Sequence, residues 1–440
     1  MEEITIIGGG LAGVEAAWQI LRRGGRVRLL EMKPTRFSPA HQSENLAELV
    51  CSNSLKSTSL ENASGLLKQE MKILGSLVME TAEKSRVPAG EALAVDREKF
   101  SEQVTSRLCS EPGLSLRREE VTEIPAQGIV IIATGPLTSE ALSCEIEKAV
   151  GAAKLYFYDA IAPVVFAGSV DRKIAFRQSR YGKGGDDYLN CPLSKDEYGR
   201  FYEELLKAET VALRDFEKPK FFEGCLPIEE MARRGKDTLT FGPMKPVGLR
   251  DPLTGREPFA AVQLRQETIS GELYGLVGFQ TRLKHPEQAR IFRMIPGLEN
   301  AEFARYGSMH RNTYIDSPRA LNQDLSLKSD PRIYFAGQIT GVEGYLESAA
   351  CGMAAGIFAL LKAEGMKHLP IPPETAIGAL IKYVTTETRE FVPMNVNFGL
   401  LPSLPGIRKK AKKKLLVERA GELMAGYAGT LDSELPSVYD

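Results

Sequence analysis

Two cysteines, a histidine-centred stretch and a glycine loop are the parts of this chain whose residue types and spacing could do chemistry. Cys51 lies in Leu49-Val50-Cys51-Ser52-Asn53-Ser54. That polar company leaves three readings open: a nucleophile, a general acid or base, or a small buried hydrophobe. Cys225 lies in Phe221-Phe222-Glu223-Gly224-Cys225-Leu226-Pro227. Pro227 suits a first helical turn and Gly235 suits the helix end, so Cys225 is expected to face a helix N-terminus that favours thiolate. Glu223, Glu229 and Glu230 push the other way, and a nucleophilic role stays open. Arg305-Tyr306-Gly307-Ser308-Met309-His310-Arg311-Asn312-Thr313-Tyr314 is dense in aromatic, cationic and amide groups. There His310 could stack on a flat heterocycle and Arg311 or Asn312 could bond one. Arg233-Arg234-Gly235-Lys236 and Arg408 to Lys414 are basic clusters, read either as solvated faces or as phosphate contacts.

The elements that must position these groups start at the N-terminus. An apolar run (Ile4 to Ile7) enters Gly8-Gly9-Gly10-Leu11-Ala12-Gly13, and an amphipathic stretch begins at Leu11. This strand–turn–helix order is what a dinucleotide's pyrophosphate requires. A second strand, Arg26 to Leu30, ends in Glu31, where a ribose hydroxyl needs a carboxylate. Gly128 to Ala133 forms a further apolar strand and runs into Thr134-Gly135. Such an A-T-G closes the first half of the FAD domain in two-dinucleotide-type flavoproteins. Arg332 to Ala336 then leads into Gly337-Gln338 and Gly341-Val342-Glu343-Gly344-Tyr345, which resembles the second FAD contact of such flavoproteins, with Gln338 in a place where Asp is usual. Flavin disulfide reductases put their cysteines where Cys51 falls, at a helix start; without a neighbouring cysteine in the sequence, a disulfide relay is excluded. No second G-x-G-x-x-G follows a strand (Gly182-x-Gly184 sits in a polar loop), so a nicotinamide must visit the flavin transiently.

The fold expected is α/β: a FAD-binding, Rossmann-like domain of glutathione-reductase type, with an inserted α+β domain and a helical C-terminal region. The expected boundaries are 1–150 and 305–370 for the FAD domain, 151–304 for the insert and 371–440 for the C-terminal part. Thr58 and Glu61 suggest a capping box ahead of a helix carrying Leu66 to Leu77, and Asp96 to Leu108 reads as another helix. In the insert, Leu155 to Phe157, Ala260 to Leu264 and Leu273 to Val277 read as strands. With 56 basic and 57 acidic residues, a polyanion must be met by local patches rather than by net charge. The six cysteines form no C-x-x-C pair and no metal-ligand spacing, so a reducing compartment and no metal are expected. No signal-peptide pattern is visible, and the apolar stretch Ala349 to Leu361 is too short to span a bilayer, so a cytoplasmic protein is expected, with no membrane association.

Taken together, the Gly-Gly-Gly-Leu-Ala-Gly loop, Glu48-Leu-Val-Cys51-Ser-Asn-Ser-Leu, Glu223-Gly-Cys225-Leu-Pro-Ile-Glu-Glu-Met-Ala, Arg305 to Tyr314 and Gly337 to Tyr345 resemble one family over essentially the whole chain. It is the folate- and FAD-dependent tRNA (uracil-54 C5)-methyltransferases, the TrmFO family. The resemblance implies FAD as cofactor, 5,10-methylenetetrahydrofolate and NAD(P)H as co-substrates, and the tRNA T-arm as partner, with no obligatory protein partner. It implies catalytic roles for Cys51 and Cys225 and a place near the pterin for His310; Arg311, Asn312 and Glu343 are taken as folate-binding with it. The rival readings are the longer, related flavoprotein that modifies wobble uridine in tRNA and a small-molecule flavin oxidoreductase. The latter leaves the basic clusters without a purpose.

Overall fold

In the computed structural model, every residue is described except 1, 152–154, 183–184, 213–222, 407–408 and 440; Gly184, Phe221, Phe222 and Arg408 therefore lie outside the described residues. The apolar segments near the N-terminus become the inner strands of a five-stranded sheet. Its order is Ile333–Phe335, Val130–Ile132, Glu3–Ile7, Arg26–Glu31 and Leu114–Arg118. All four pairings are parallel. A parallel sheet is covered on both faces, which explains the unbroken apolar runs in Glu3–Ile7 and Val130–Ile132.

Helix Leu11–Leu21 is buried at every position and packs on helix Tyr345–Ala363. Close approach of the two backbones needs glycine: a Cβ on Gly352 would lie 2.1 Å from Ala12 O, and one on Gly356 would lie 2.5 Å from Ala16 O. Tyr345–Ala363 is 19 residues long, more than the sequence suggested, and is apolar enough to cross a membrane by length and composition. Packing, not length, decides its place, because 83% of its apolar window is buried inside the fold.

The large first core takes residues from Ile4 to Leu435, including Leu416, Ala420, Met424 and Leu431 of helix Lys409–Glu434. A second large core runs from Val165 to Ala301. It lies on a six-stranded antiparallel sheet ordered Phe176–Arg177, Leu189–Leu193, Ala260–Gln266, Leu273–Leu276, Val164–Phe166 and Phe303–Arg305. Between the cores the chain crosses on a two-stranded antiparallel ribbon, Leu155–Ile161 against Ser308–Tyr314. The first of these strands is longer than the expected Leu155 to Phe157, and its Phe157 packs with Tyr314 in the first core (ring centroids 6.0 Å apart).

Two local expectations fail. The Thr58/Glu61 capping box does not form: Asn62 occupies the N-cap of helix Ala63–Ile73 without a side-chain cap bond. Thr58 Oγ1 instead donates to Glu91 O (3.0 Å). The apolar run through Leu77 is also split, because Gly75 adopts φ +68° and Ser76 caps a separate helix, Leu77–Lys84, by accepting from Met79 N–H.

Candidate functional site

Gly8, at φ +104°, makes the tight turn after the first strand; a Cβ there would meet Ala133 O at 2.6 Å. Gly13 packs its helix onto that turn, where a Cβ would fall 1.8 Å from Gly8 O. At Gly10, the N-cap of Leu11–Leu21, a Cβ would meet nothing within 4 Å. The helix has no side-chain cap, so its first N–H groups face open space. That space is an open cleft lined in part by Gly8 to Ala12, Glu31, His41, Thr134, Gly135, Gln338 and Tyr345. The cradle fits a dinucleotide.

Glu31 also braces the loop itself, its Oε2 accepting from Gly9 N–H (2.7 Å) and its Oε1 from Lys33 N–H (2.9 Å). Gly337 and Gly344 do not line the cleft. Gly337 (φ +80°) lets the chain pass Ala12, and Gly344 (φ +116°) is the N-cap of Tyr345–Ala363. The Gln338 amide donates to Glu343 Oε2 (2.7 Å), so part of its bonding capacity is already used.

Cys51 is not at a helix start. It sits in a loop three residues before strand Ser54–Ser57. Its N–H donates to Tyr345 Oη (2.7 Å), as does Ser52 N–H (3.2 Å), and its thiol donates to the same oxygen (2.9 Å). Three arginines clamp the loop. Arg265 donates to Asn53 Oδ1 (2.7 Å) and Ser52 Oγ (2.9 Å), Arg305 to Val50 O (3.0 Å) and Arg97 to Leu49 O (3.3 Å). Arg97 also pairs with Glu267 at 2.7 Å. Cys51 lines a recess whose walls include Arg97, Arg265, Glu267 and Gln280.

Cys225 closes a short turn, Glu223–Cys225, ahead of helix Ile228–Arg233. That helix is only six residues long, and burial opposes the thiolate it was expected to favour. Burial pushes the Cys225 thiol far above its ordinary value, reinforced by the charges of Asp159, Cys51 and Glu343. The glutamates expected to act on it are occupied elsewhere: Glu229 accepts from Thr281 Oγ1 (2.9 Å), and Glu230 pairs with Arg282 (2.6 Å). Burial, with Asp159 nearby, also pushes Cys51 up to about 11. Both thiols are therefore protonated at neutral pH. Although far apart in sequence, they feel each other's charge, so the absence of a cysteine near Cys51 in the chain does not hold in space.

His310 is half-buried and stands opposite Asp159 in the ribbon. Its Nε2 lies 3.1 Å from Ser308 Oγ, and burial with His41 lowers its pKa. Strand alternation places Asn312 on the same face and turns Arg311 to the other, where its guanidinium lies 4.1 Å over the Tyr156 ring. The three residues do not form a single-faced set. Glu343 is buried, and its carboxyl is pushed well above the usual range by burial and by the charge of Asp159. Asp159, Arg97, Arg265 and His41 do not stand out in the sequence. The one sequence signal for Asp159 is an acid inside the otherwise aromatic and apolar run Leu155-Tyr156-Phe157-Tyr158-Asp159-Ala160-Ile161.

The parallel sheet, glycine loop and cleft define a dinucleotide-binding α/β protein, and a family model described as glucose inhibited division protein A matches residues 3–367. A crystal structure of Aquifex aeolicus GidA superposes with a TM-score of 0.70 at 18% identity, covering 98% of this chain and 76% of that one. The methylenetetrahydrofolate--tRNA-(uracil-5-)-methyltransferase TrmFO of Geobacter sulfurreducens is 61% identical over 95% of this chain and 96% of its own. The enzyme of the same name from Aquifex aeolicus is 59% identical over 96% of both chains. The chain belongs to the TrmFO family.

Proposed function

We propose that this protein methylates C5 of uridine 54 in the T-arm of tRNA. The carbon comes from 5,10-methylenetetrahydrofolate and the hydride from FAD reduced by NAD(P)H. The observation that carries this reading is the bond between the Cys51 thiol and Tyr345, a residue that also lines the glycine-loop cleft, with Cys225 near enough to feel the charge of Cys51.

The N–H groups opening Leu11–Leu21 would hold the FAD pyrophosphate, and Glu31 the adenosine ribose. Thr134, Gly135, Gln338 and Tyr345 would flank the rest of the cofactor. When bound, FAD supplies the hydride that takes a carbon at the formaldehyde level to methyl. The remaining work falls to side chains. Uracil C5 is a poor nucleophile until a group adds at C6, and Cys225 is the sulfur that adds there, leaving an enolate whose C5 attacks the methylene carbon as that carbon's bonds to the folate nitrogens break and the folate leaves. Cys51 takes the C5 proton in its minor thiolate form, which the charge of Arg97 beside it favours, and the Cys225 sulfur then leaves C6. His310 and Asn312, on one face of the ribbon, present a ring and an amide to the pterin, with Glu343 nearby. The unit around the second core, residues 151–304, carries Cys225 and the exposed Arg233, Arg234 and Lys236 to the RNA. We place the reaction in the cytoplasm.

A T-arm RNA hairpin carrying 5-fluorouridine at the target position tests the assignment, because fluorine at C5 blocks release of the sulfur. Wild type and Cys51→Ala are expected to form a covalent adduct resolved by mass spectrometry at Cys225, and Cys225→Ala none. An adduct on Cys51 in the wild type would reverse the roles.

A further inference from the structure

Asp159 is used neither by the cleft nor by the clamp on the Cys51 loop, yet it stands at the centre of the site. Strand Leu155–Ile161 carries it directly opposite His310. Its Oδ2 accepts a long bond from Asn312 Nδ2 (3.4 Å). The buried Oδ1 meets no N–H or O–H donor at ordinary hydrogen-bond distance among the described residues. The strand that carries this carboxyl packs against the Glu223–Cys225 turn, which brings the Cys225 thiol close enough for each group to shift the other's proton affinity. An unpaired buried carboxylate oxygen costs stability, so its presence beside a thiol points to a chemical role.

We propose that Asp159 accepts the Cys225 thiol proton as the sulfur adds to uracil C6, acting as the positioning and proton-accepting partner of that cysteine. The proposal rests on the reading of Cys225 as the nucleophile. In the addition, the S–H bond breaks and its proton passes to Asp159 as the S–C6 bond forms. The C5–C6 π electrons move onto C5 and O4 as the enolate. When the sulfur leaves, the S–C6 electrons return to it and Asp159 gives the proton back. Sulfur held as thiol between substrates needs such a partner: among the described residues, the charged groups acting on Cys225 are Asp159, Cys51 and Glu343, all of them acids. Cys51 is faced in turn by Arg97 and Tyr345, and Glu343 by Gln338, Glu347 and Lys56. Burial raises the Asp159 carboxyl to about 6, partly offset by the thiol contact, which leaves it ionised and able to accept a proton at pH 7 to 8.

Asp159→Asn separates this role from a structural one because its two readouts move in opposite directions. Single-turnover formation of 5-methyluridine at pH 8 is expected to fall by roughly 100-fold or more, the size of a lost proton acceptor. Alkylation of Cys225 by iodoacetamide, followed by peptide mass spectrometry, is expected to speed up several-fold, since a negative charge beside the thiol is gone. Asp159→Glu is expected to recover part of the methylation and to move the acidic limb of its pH profile. FAD absorbance and the melting temperature report folding. Near-wild-type methylation by Asp159→Asn, with Cys225→Ala inactive, overturns the proton transfer alone. Unchanged Cys225 alkylation in Asp159→Asn, or an unmoved acidic limb in Asp159→Glu, also overturns it. Full methylation by Cys225→Ala overturns the underlying assignment instead, and the proton transfer with it.

Discussion

At the residue scale, the site is governed by burial acting on acids. Desolvation favours the neutral form, so the thiols of Cys51 and Cys225 and the carboxyls of Asp159 and Glu343 all hold their protons more tightly than in water. For Cys51 the consequence is direct. With its thiol pushed up to about 11, labelling by iodoacetamide is expected to be slow at pH 7 and to climb by about tenfold per pH unit towards pH 11. Rapid labelling at pH 7, followed at the Cys51 peptide, would contradict this protonation state. Both cysteines stood out in the sequence by their polar or glycine-flanked company. Their resting protonation did not, because it depends on Asp159 and Glu343, which reach the thiols only through the fold.

Elements set how rigidly those groups are held. The Cys51 loop has no regular structure and is fixed by Tyr345 and by arginines from three further segments, of which Arg265 on strand Ala260–Gln266 makes two contacts. Arg265→Met is expected to retain FAD while lowering methylation by roughly 10- to 100-fold, since a displaced thiol loses the benefit of orientation. Flavin absorbance and single-turnover product measure the two; unchanged turnover would mean the clamp is dispensable. Helix Tyr345–Ala363 supports the same loop through Tyr345. Gly356→Leu drives a side chain into Ala16 O, and a urea titration is expected to show a loss of about 1–3 kcal/mol or more. The glycine loop was legible in the sequence because it is local backbone chemistry: Gly8 and Gly13 are required by atoms within their own strand–turn–helix unit and the adjoining strand. The clamp was not legible, because Arg97, Arg265 and Arg305 look like ordinary surface arginines until the second core folds against the first. The split at Gly75 and the misplaced capping box have the same origin, with a glycine in the left-handed region and a tertiary bond to Glu91 overriding the local pattern.

For the whole molecule, two cores joined by one ribbon bring together a cofactor cleft from the first and a cysteine from the second. Residues 3–367 match a single family model, so cleft, ribbon and second core come as one inherited unit. With 56 basic against 57 acidic residues, RNA must be held by patches. Replacing Arg233, Arg234 and Lys236 together by Ala is expected to weaken tRNA binding several-fold and to flatten the salt dependence of affinity, while leaving the melting temperature unchanged. Equal affinity and an equal salt slope would remove that patch from the RNA interface. Cleft, ribbon and cysteines together build a methyl group from a folate carbon and a flavin hydride on a tRNA uridine. The most direct measurement supplies unmodified tRNA, NADPH and methylenetetrahydrofolate deuterated at the transferred methylene, followed by nucleoside mass spectrometry. The expected product is 5-methyluridine whose methyl group keeps both donor deuterium atoms and gains one hydrogen. No 5-methyluridine, or a methyl group free of deuterium, would contradict it.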